Sequence, residues 1–285
     1  MTIDAAEKDP TVALRSVRGL SMVVAMKRFF GFVGALILAA QATVGAVDIQ
    51  EKSVEYKAGE VLCEGWHAVD ASKPGKKPAV LIVHQWTGVS ENEKMRARML
   101  AELGYNVFVC DVYGKGIRPQ PPEAGKEAGK YKADRALLRS RVAAGLEVLR
   151  KDAGTDPTKI AAIGYCFGGT AAIELARSGA LIKGIVSFHG GLDSPSPADG
   201  KNIKCKVLAL HGADDPFVPK EGIDAFETEM TTAGVDYKLV QYPGAVHAFT
   251  QKGAGDDNSK GAAYNAAADK ASWEEMNRFF ESALK

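Results

Sequence analysis

The sequence has little charge imbalance and few cysteines, and each shortage excludes a class of function. Its 36 lysines and arginines against 35 aspartates and glutamates leave a formal net charge of +1 over 285 residues. Such a balance gives no electrostatic reason to bind nucleic acid or an anionic surface. The four cysteines include no C-x-x-C pair, which argues against a zinc knuckle or a thioredoxin-type motif. No cluster of side chains has metal-ligand spacing, so the sequence predicts no metal site.

The sequence also lacks an apolar run of the length typical of a membrane span. Its N-terminal apolar run is short and lies in a segment that resembles a secretory signal. Lys27 and Arg28 precede a short apolar stretch over residues 29–40, and small residues that offer cleavage sites follow it. This stretch is short for a membrane span, and charged residues resume at Asp48. We therefore expect a cleaved signal and no stable span after cleavage. An uncleaved anchor and a buried helix are the alternatives.

This interpretation divides the chain into three parts. Residues 1–25 are predicted to be an upstream extension from a misassigned start codon, residues 26–46 a signal peptide, and residues 47–285 one exported domain. With 46% hydrophobic and 25% charged residues, the composition is ordinary for a globular protein. The predicted location is the periplasm or the medium outside the cell.

Strand-like runs alternate with helical patterns after the signal segment. An antiparallel pair is predicted at 53–57 and 60–68, followed by strands at 79–84, 106–111, 160–163, 183–188, 206–211 and 237–242. Helices are predicted at 91–103, 132–151, 170–178, 221–232 and 266–284. The alternation predicts an α/β fold in which a mostly parallel sheet is covered by helices on both faces. Two glycine-rich polar loops, 113–129 and 253–261, are candidates to border a site.

The most informative motif is a tight turn that carries a cysteine. Gly164, Cys166 and Gly168 form a G-x-nucleophile-x-G pattern between an apolar strand and a small-residue helix. The glycines suit a turn whose backbone is crowded. A cysteine at a helix N-terminus is favoured as thiolate, which is the reactive species.

An acid and a histidine follow this turn, each after a predicted strand. Asp214 and Asp215 come after strand 206–211, and His247 comes after strand 237–242. The order nucleophile, acid, histidine is that of α/β-hydrolases. A thiolate attacks an acyl carbonyl, a histidine moves the proton, and a carboxylate orients the histidine. Asp215 is the preferred acid and Asp214 the alternative.

Backbone donors and pocket residues complete the predicted site. The amide of Phe167 follows the nucleophile, and the amide of Trp86 lies in the loop after strand 79–84, so both are predicted to form the oxyanion hole. A small pocket bordered by Trp86, Tyr113 and Phe217 is expected. Of the remaining histidines and cysteines, His67 carries no functional signal. The others are predicted to be structural: His84, His189, His211, Cys63, Cys110 and Cys205. Export would nevertheless permit a disulfide among the last three.

Five segments together resemble the dienelactone hydrolase family of α/β-hydrolases. They are residues 80–88, 111–116, 164–169, 211–219 and 246–249. The resemblance runs from about residue 53 to the end of the chain. It implies an α/β-hydrolase fold, a Cys166–His247–Asp215 triad, hydrolysis of an enol lactone or related ester, and no cofactor.

Two departures from the family pattern concern the substrate. The archetypal enzyme carries a glutamate that pairs with the cysteine, whereas this chain has Gln85, which cannot hold a proton in the same way. The archetype holds a substrate carboxylate with arginines, whereas this chain offers Lys115 and Gln251. An anionic dienelactone is therefore not the expected natural substrate. Gln85, Tyr113, Lys115 and Phe217 are the substrate-binding candidates.

The sequence thus predicts a cysteine-dependent hydrolase that acts on a lactone or small carboxylic ester, with a small molecule as its partner. A broad-specificity carboxylesterase or acyl transferase is the first alternative. The second is a non-catalytic binding protein that keeps the fold, as the departure at Gln85 suggests. A thiol-redox role for Cys166 is weaker, because no resolving cysteine lies nearby in sequence.

Overall fold

Residues 46–285 are described here in a computed structural model of the chain. The predicted extension at 1–25 and the predicted signal peptide at 26–46 lie outside the described residues, apart from Ala46. Across 46–285, no helix combines the length and the apolar character that crossing a membrane requires.

A mixed sheet forms the centre of the described part of the chain. Its strands are β1 (Ile49–Ala58), β2 (Val61–Asp70), β3 (Lys77–Val83), β4 (Asn106–Cys110), β5 (Thr155–Tyr165), β6 (Gly184–Phe188), β7 (Lys206–Gly212) and β8 (Tyr237–Tyr242). They are ordered β1-β2-β4-β3-β5-β6-β7-β8. β2 pairs antiparallel with β1 and β4, whereas the pairs β4–β3, β3–β5, β5–β6, β6–β7 and β7–β8 are parallel. The predicted antiparallel opening pair and mostly parallel sheet are therefore confirmed.

Helices cover both faces of this sheet. They are α1 (Glu91–Glu102), α2 (Glu123–Ala133), α3 (Arg135–Lys151), α4 (Phe167–Arg177), α5 (Lys220–Thr232) and α6 (Ala266–Ala283). Alternate residues of a strand face opposite sides, so β3 contributes to two separate cores. Val80 and Ile82 pack with Leu100 of α1, whereas Leu81 and Val83 pack in the core that contains Leu146 of α3. Burial on both faces explains why the central strands read as continuous apolar runs.

One predicted helix and one predicted loop need correction. The helix predicted at 132–151 is two helices, because Asp134 ends α2 and caps α3 by accepting the N–H of Leu137 at 2.9 Å. The loop predicted at 113–129 contains most of α2. Its glycines and prolines suggested a loop, but proline is tolerated at a helix start. Burial of Ala124, Ala128 and Tyr131, which share one helical face, stabilises α2.

Candidate active site

Three side chains with catalytic potential meet at one edge of the sheet. Cys166 follows β5, Asp215 follows β7, and His247 follows β8. Because these strands are parallel, their carboxyl ends lie at the same edge. Residues that are about 80 positions apart in sequence are therefore in contact.

Cys166 is the single residue that connects the end of β5 to the start of α4. Its backbone has φ 54° and ψ −116°, a conformation that costs a residue with a side chain on the order of 1–3 kcal/mol. The flanking glycines permit this turn. A Cβ on Gly164 would lie 1.9 Å from the Gly168 carbonyl oxygen, and one on Gly168 would lie 2.2 Å from the Val83 carbonyl oxygen. No larger residue fits either position without moving backbone.

The side chains form a continuous hydrogen-bonded series. His247 Nε2 lies 3.1 Å from Cys166 Sγ, and His247 Nδ1 lies 2.8 Å from Asp215 Oδ2. The second carboxylate oxygen of Asp215 accepts the Phe217 N–H at 2.9 Å. This bond fixes the carboxylate, which in turn fixes the plane of the imidazole. Asp214 is turned elsewhere and accepts the Gly244 N–H.

Opposite pKa shifts favour a thiolate and an imidazolium in this series. Burial acts to raise the pKa of Cys166, but the hydrogen bond and charge of His247, the Phe167 N–H and the charge of Lys132 outweigh it and lower that pKa. Burial acts to lower the pKa of His247, but Asp215 and Cys166 raise it to about 10. The arrangement therefore stabilises the charged pair.

The other three cysteines are buried free thiols, as predicted. Burial raises the pKa of Cys63, Cys110 and Cys205, to about 12 in the case of Cys205. Their environment therefore opposes the thiolate that the Cys166 environment favours.

Two backbone amides are available beside the cysteine. Phe167 is the first residue of α4, so its N–H has no acceptor within the helix, and it contributes to the lowered pKa of Cys166. Trp86 lies in the turn after β3, and its N–H finds no acceptor among residues 46–285. Both residues line the cavity that contains Cys166 and His247. These are the two donors that the sequence pattern predicts for an oxyanion.

The cavity over the cysteine has a volume of about 760 Å³. Its lining includes Gln85, Trp86, Ala128, Lys132, Phe167, Gly191, Phe217, Ala248, Gln251 and Ala254. Most of this lining is apolar, and its cationic side chains are Lys132 and the His247 imidazolium. Of the candidate substrate residues, Gln85 and Phe217 line the cavity. Phe217 is 63% exposed and its ring stands perpendicular to the His247 imidazole at 5.4 Å.

Two predicted substrate residues lie elsewhere. Tyr113 is buried behind the cavity wall, where its hydroxyl donates to the Trp86 carbonyl at 2.9 Å. Lys115 forms an ion pair with Glu55 of β1 instead of facing the cavity. The chain turns toward β2 at Gly114, and the Lys115 N–H donates to the Leu62 carbonyl, which carries the lysine away from the site.

Lys132 is a cavity residue that the sequence patterns missed. It belongs to the last turn of α2, a helix whose first two turns fall within the predicted loop 113–129. The spacing of Ala124, Ala128 and Tyr131 is the signal that would have placed Lys132 at the end of a separate helix.

Comparison with known proteins identifies relatives of the chain. A sequence model described as the dienelactone hydrolase family matches residues 64–284. A crystal structure titled as a dienelactone hydrolase-like promiscuous phosphotriesterase from metagenomic libraries is 35% identical, with a TM-score of 0.79, and the match covers 83% of this chain and 99% of that one. A candidate carboxymethylenebutenolidase of Synechocystis sp. is 25% identical over 226 residues, which are 74% of this chain and 88% of that protein. The probable 2-oxo-3-(5-oxofuran-2-ylidene)propanoate lactonase of Bradyrhizobium sp. is 28% identical over 186 residues, covering 61% of this chain and 74% of that protein.

Proposed function

The chain belongs to the dienelactone hydrolase family, and we propose that it hydrolyses a lactone or carboxylic ester through an acyl-enzyme on Cys166. Membership of this α/β-hydrolase family makes it a hydrolase that acts on ester or lactone bonds. The observation that carries the finer proposal is the hydrogen-bonded series Cys166–His247–Asp215 in the cavity.

In the proposed acylation step, the Cys166 thiolate attacks the acyl carbon. A C–S bond forms, and the carbonyl π electrons move to the oxygen. The Phe167 and Trp86 amides are placed to stabilise that oxyanion by hydrogen bonds. When the oxyanion collapses, the bond from carbon to the alkoxy or enol oxygen breaks, and the His247 Nε2 proton moves to that oxygen. A lactone gives a leaving oxygen that stays tethered to the acyl group.

The proposed deacylation step returns the protein to its starting state. The neutral His247 removes a proton from water, and the resulting hydroxide adds to the thioester carbon. The second tetrahedral intermediate expels the Cys166 thiolate and releases the carboxylic acid. His247 keeps the proton, so the charged pair is restored. Asp215 orients the ring and stabilises its cationic form throughout, and no step requires a cofactor.

The size and the lining of the cavity favour a broad range of neutral esters as substrates. Its volume of about 760 Å³ lies within the roughly 300–1,000 Å³ typical of sites for drug-sized molecules. Its mostly apolar lining suits an aryl or alkyl group better than a compact dianion. These features favour the alternative of a broad-specificity carboxylesterase, and phosphotriesters enter the panel because a relative is titled a promiscuous phosphotriesterase.

The decisive experiment is hydrolysis of a panel of activated esters, five-membered enol lactones and phosphotriesters by the wild type and by Cys166→Ala. We expect the variant to lose turnover and keep its melting temperature. Cys205→Ala is the matched control, because it removes a buried thiol outside the cavity and is expected to keep turnover. Full activity of Cys166→Ala would refute the mechanism, and inactivity of the wild type on every compound would favour a binding protein.

Export is a separate proposal that rests on the sequence of residues 26–46. We propose that the mature protein begins near residue 47 and lies in the periplasm or outside the cell. N-terminal sequencing of the protein recovered from each cell fraction tests this. A cell-associated chain that retains residues 26–46 would contradict it.

A further inference from the structure

The turn after β3 holds two successive peptide groups by hydrogen bonds. The Gln85 carbonyl accepts from His84 Nδ1 at 2.6 Å and from the Gly88 N–H at 3.1 Å. The next carbonyl, that of Trp86, accepts the Tyr113 hydroxyl at 2.9 Å. The Trp86 N–H, between these two carbonyls, has no acceptor in the described part of the chain.

The neighbours of His84 settle which ring nitrogen carries the proton. The Val112 N–H donates to His84 Nε2 at 3.0 Å, so Nε2 must present its lone pair. The proton of the neutral ring is therefore on Nδ1, which donates to the Gln85 carbonyl. The ring is fully buried between Tyr113, with centroids 4.6 Å apart, and Phe167, with centroids 5.9 Å apart. Burial lowers the pKa of His84 to about 4, so the ring stays neutral near pH 7.

The direction of the Trp86 N–H follows from peptide geometry. In a trans peptide the C=O and the N–H point in opposite directions. The Gln85 carbonyl is held toward the buried His84 ring, so the N–H of the same peptide group points away from it. Trp86 and Gln85 both line the cavity that contains Cys166.

We propose that His84 and Tyr113 are positioning residues for a preorganised oxyanion donor. His84 holds the Gln85–Trp86 peptide and Tyr113 holds the next peptide through the Trp86 carbonyl, so that the Trp86 N–H is kept toward the cavity. This inference rests on the proposed function. Without the two side-chain bonds, the Gln85 carbonyl keeps only the Gly88 N–H. A peptide that then rotates would present its carbonyl oxygen to the developing oxyanion and repel it. Because the Trp86 N–H is fixed before the reaction, it need not reorient when the oxyanion forms, whereas water molecules would have to.

The test compares two reactions of Cys166 in the same protein. Acylation by an activated ester passes through an oxyanion, whereas alkylation by iodoacetamide displaces iodide at a saturated carbon and forms none. For His84→Leu we expect kcat/KM for the ester to fall about 10²-fold, the cost of losing one oxyanion donor, with alkylation within about threefold of the wild type. Tyr113→Phe keeps the ring and loses only the hydroxyl, so we expect a smaller loss, about tenfold, in the ester reaction alone.

His67→Leu is the matched control. This substitution removes another buried histidine, whose ring lies 2.6 Å from the Asn106 side chain. His67 does not line the cavity. Both reactions are expected to keep their wild-type rates in this variant. If His84→Leu does not fold, Tyr113→Phe alone decides the question.

Two outcomes would overturn the inference. Equal losses of ester turnover and alkylation would show a general structural role for the two residues. Unchanged ester turnover in Tyr113→Phe and His84→Leu would show that the orientation of the Trp86 N–H does not depend on these two side chains. Failure of the proposed function is seen separately, as ester turnover that survives Cys166→Ala.

Discussion

Replacement of Asp215 by asparagine tests how the candidate site orients its histidine. The Phe217 N–H donates to one carboxylate oxygen at 2.9 Å, and His247 Nδ1 faces the other at 2.8 Å. In Asp215→Asn the single carbonyl oxygen is needed by the Phe217 N–H, so the amide NH₂ turns toward His247. Nδ1 must then accept a hydrogen bond, and the neutral ring carries its proton on Nε2, facing Cys166 Sγ.

A histidine in that tautomer cannot take the thiol proton, and its cation has lost a buried anionic partner. A reversed tautomer of this kind costs about 10⁴-fold in serine hydrolases. We expect kcat to fall about 10³- to 10⁴-fold, which corresponds to ~4–5.5 kcal/mol of transition-state stabilisation. Asp215 helps to raise the pKa of His247 to about 10, so that pKa should fall in the variant. The pKa of Cys166, measured by the pH dependence of iodoacetamide alkylation, should rise because its imidazolium partner is weaker.

The matched control is Asp214→Asn. Asp214 is adjacent in sequence but accepts only the Gly244 N–H among the hydrogen bonds within residues 46–285. We expect its turnover to stay within about threefold of the wild type, since exposed substitutions away from such features have small effects. The reasoning is refuted if Asp215→Asn keeps more than a tenth of the activity with an unchanged alkylation profile, or if Asp214→Asn is the more damaging change.

Three further predictions concern the pKa of His247, the tight turn at Cys166 and a buried ion-pair network. The kcat/KM for an ester should fall as pH rises through about 10, because His247 of the free protein then loses the proton that it gives to the leaving oxygen during acylation; a pH–rate profile checks this. Gly164→Ala places a Cβ 1.9 Å from the Gly168 carbonyl oxygen and should lower the free energy of unfolding by about 3 kcal/mol or more in urea titrations, whereas Gly129→Ala, with open space around it, should not. Arg177→Met leaves the almost fully buried Glu229 without its ionic partner, whereas Glu174 keeps Arg139, and should cost about 3–5 kcal/mol in the same assay.

The sequence predicts best those strands that are buried on both faces of the sheet. β3, β4 and β6 are buried on both faces, so their continuous apolar runs identify them as central strands of a parallel sheet. α2 was missed because Gly125 and Gly129 lower local helix propensity, while the contacts that stabilise it come from the tertiary structure. Tertiary contacts of that kind are not visible in local composition.

A similar limit applies to the candidate site. Cys166, Asp215 and His247 were identified because each follows a strand in a recognisable order, and the structure brings them into contact. Lys115 also follows a strand, yet its loop turns toward β2, and sequence position alone does not give that direction. The hydrogen bonds of His84 involve backbone groups of two separate segments, so only the folded chain reveals them.

The proposed mechanism passes through a covalent acyl intermediate on Cys166. It is tested most directly by quenching ester turnover in acid within the first turnover and measuring the intact mass and the peptide map. We expect the acyl mass to appear on the peptide containing Cys166, to decay at the rate of deacylation, and to be absent from Cys166→Ala. An acyl group on another residue, or turnover by Cys166→Ala at the wild-type rate, would contradict it.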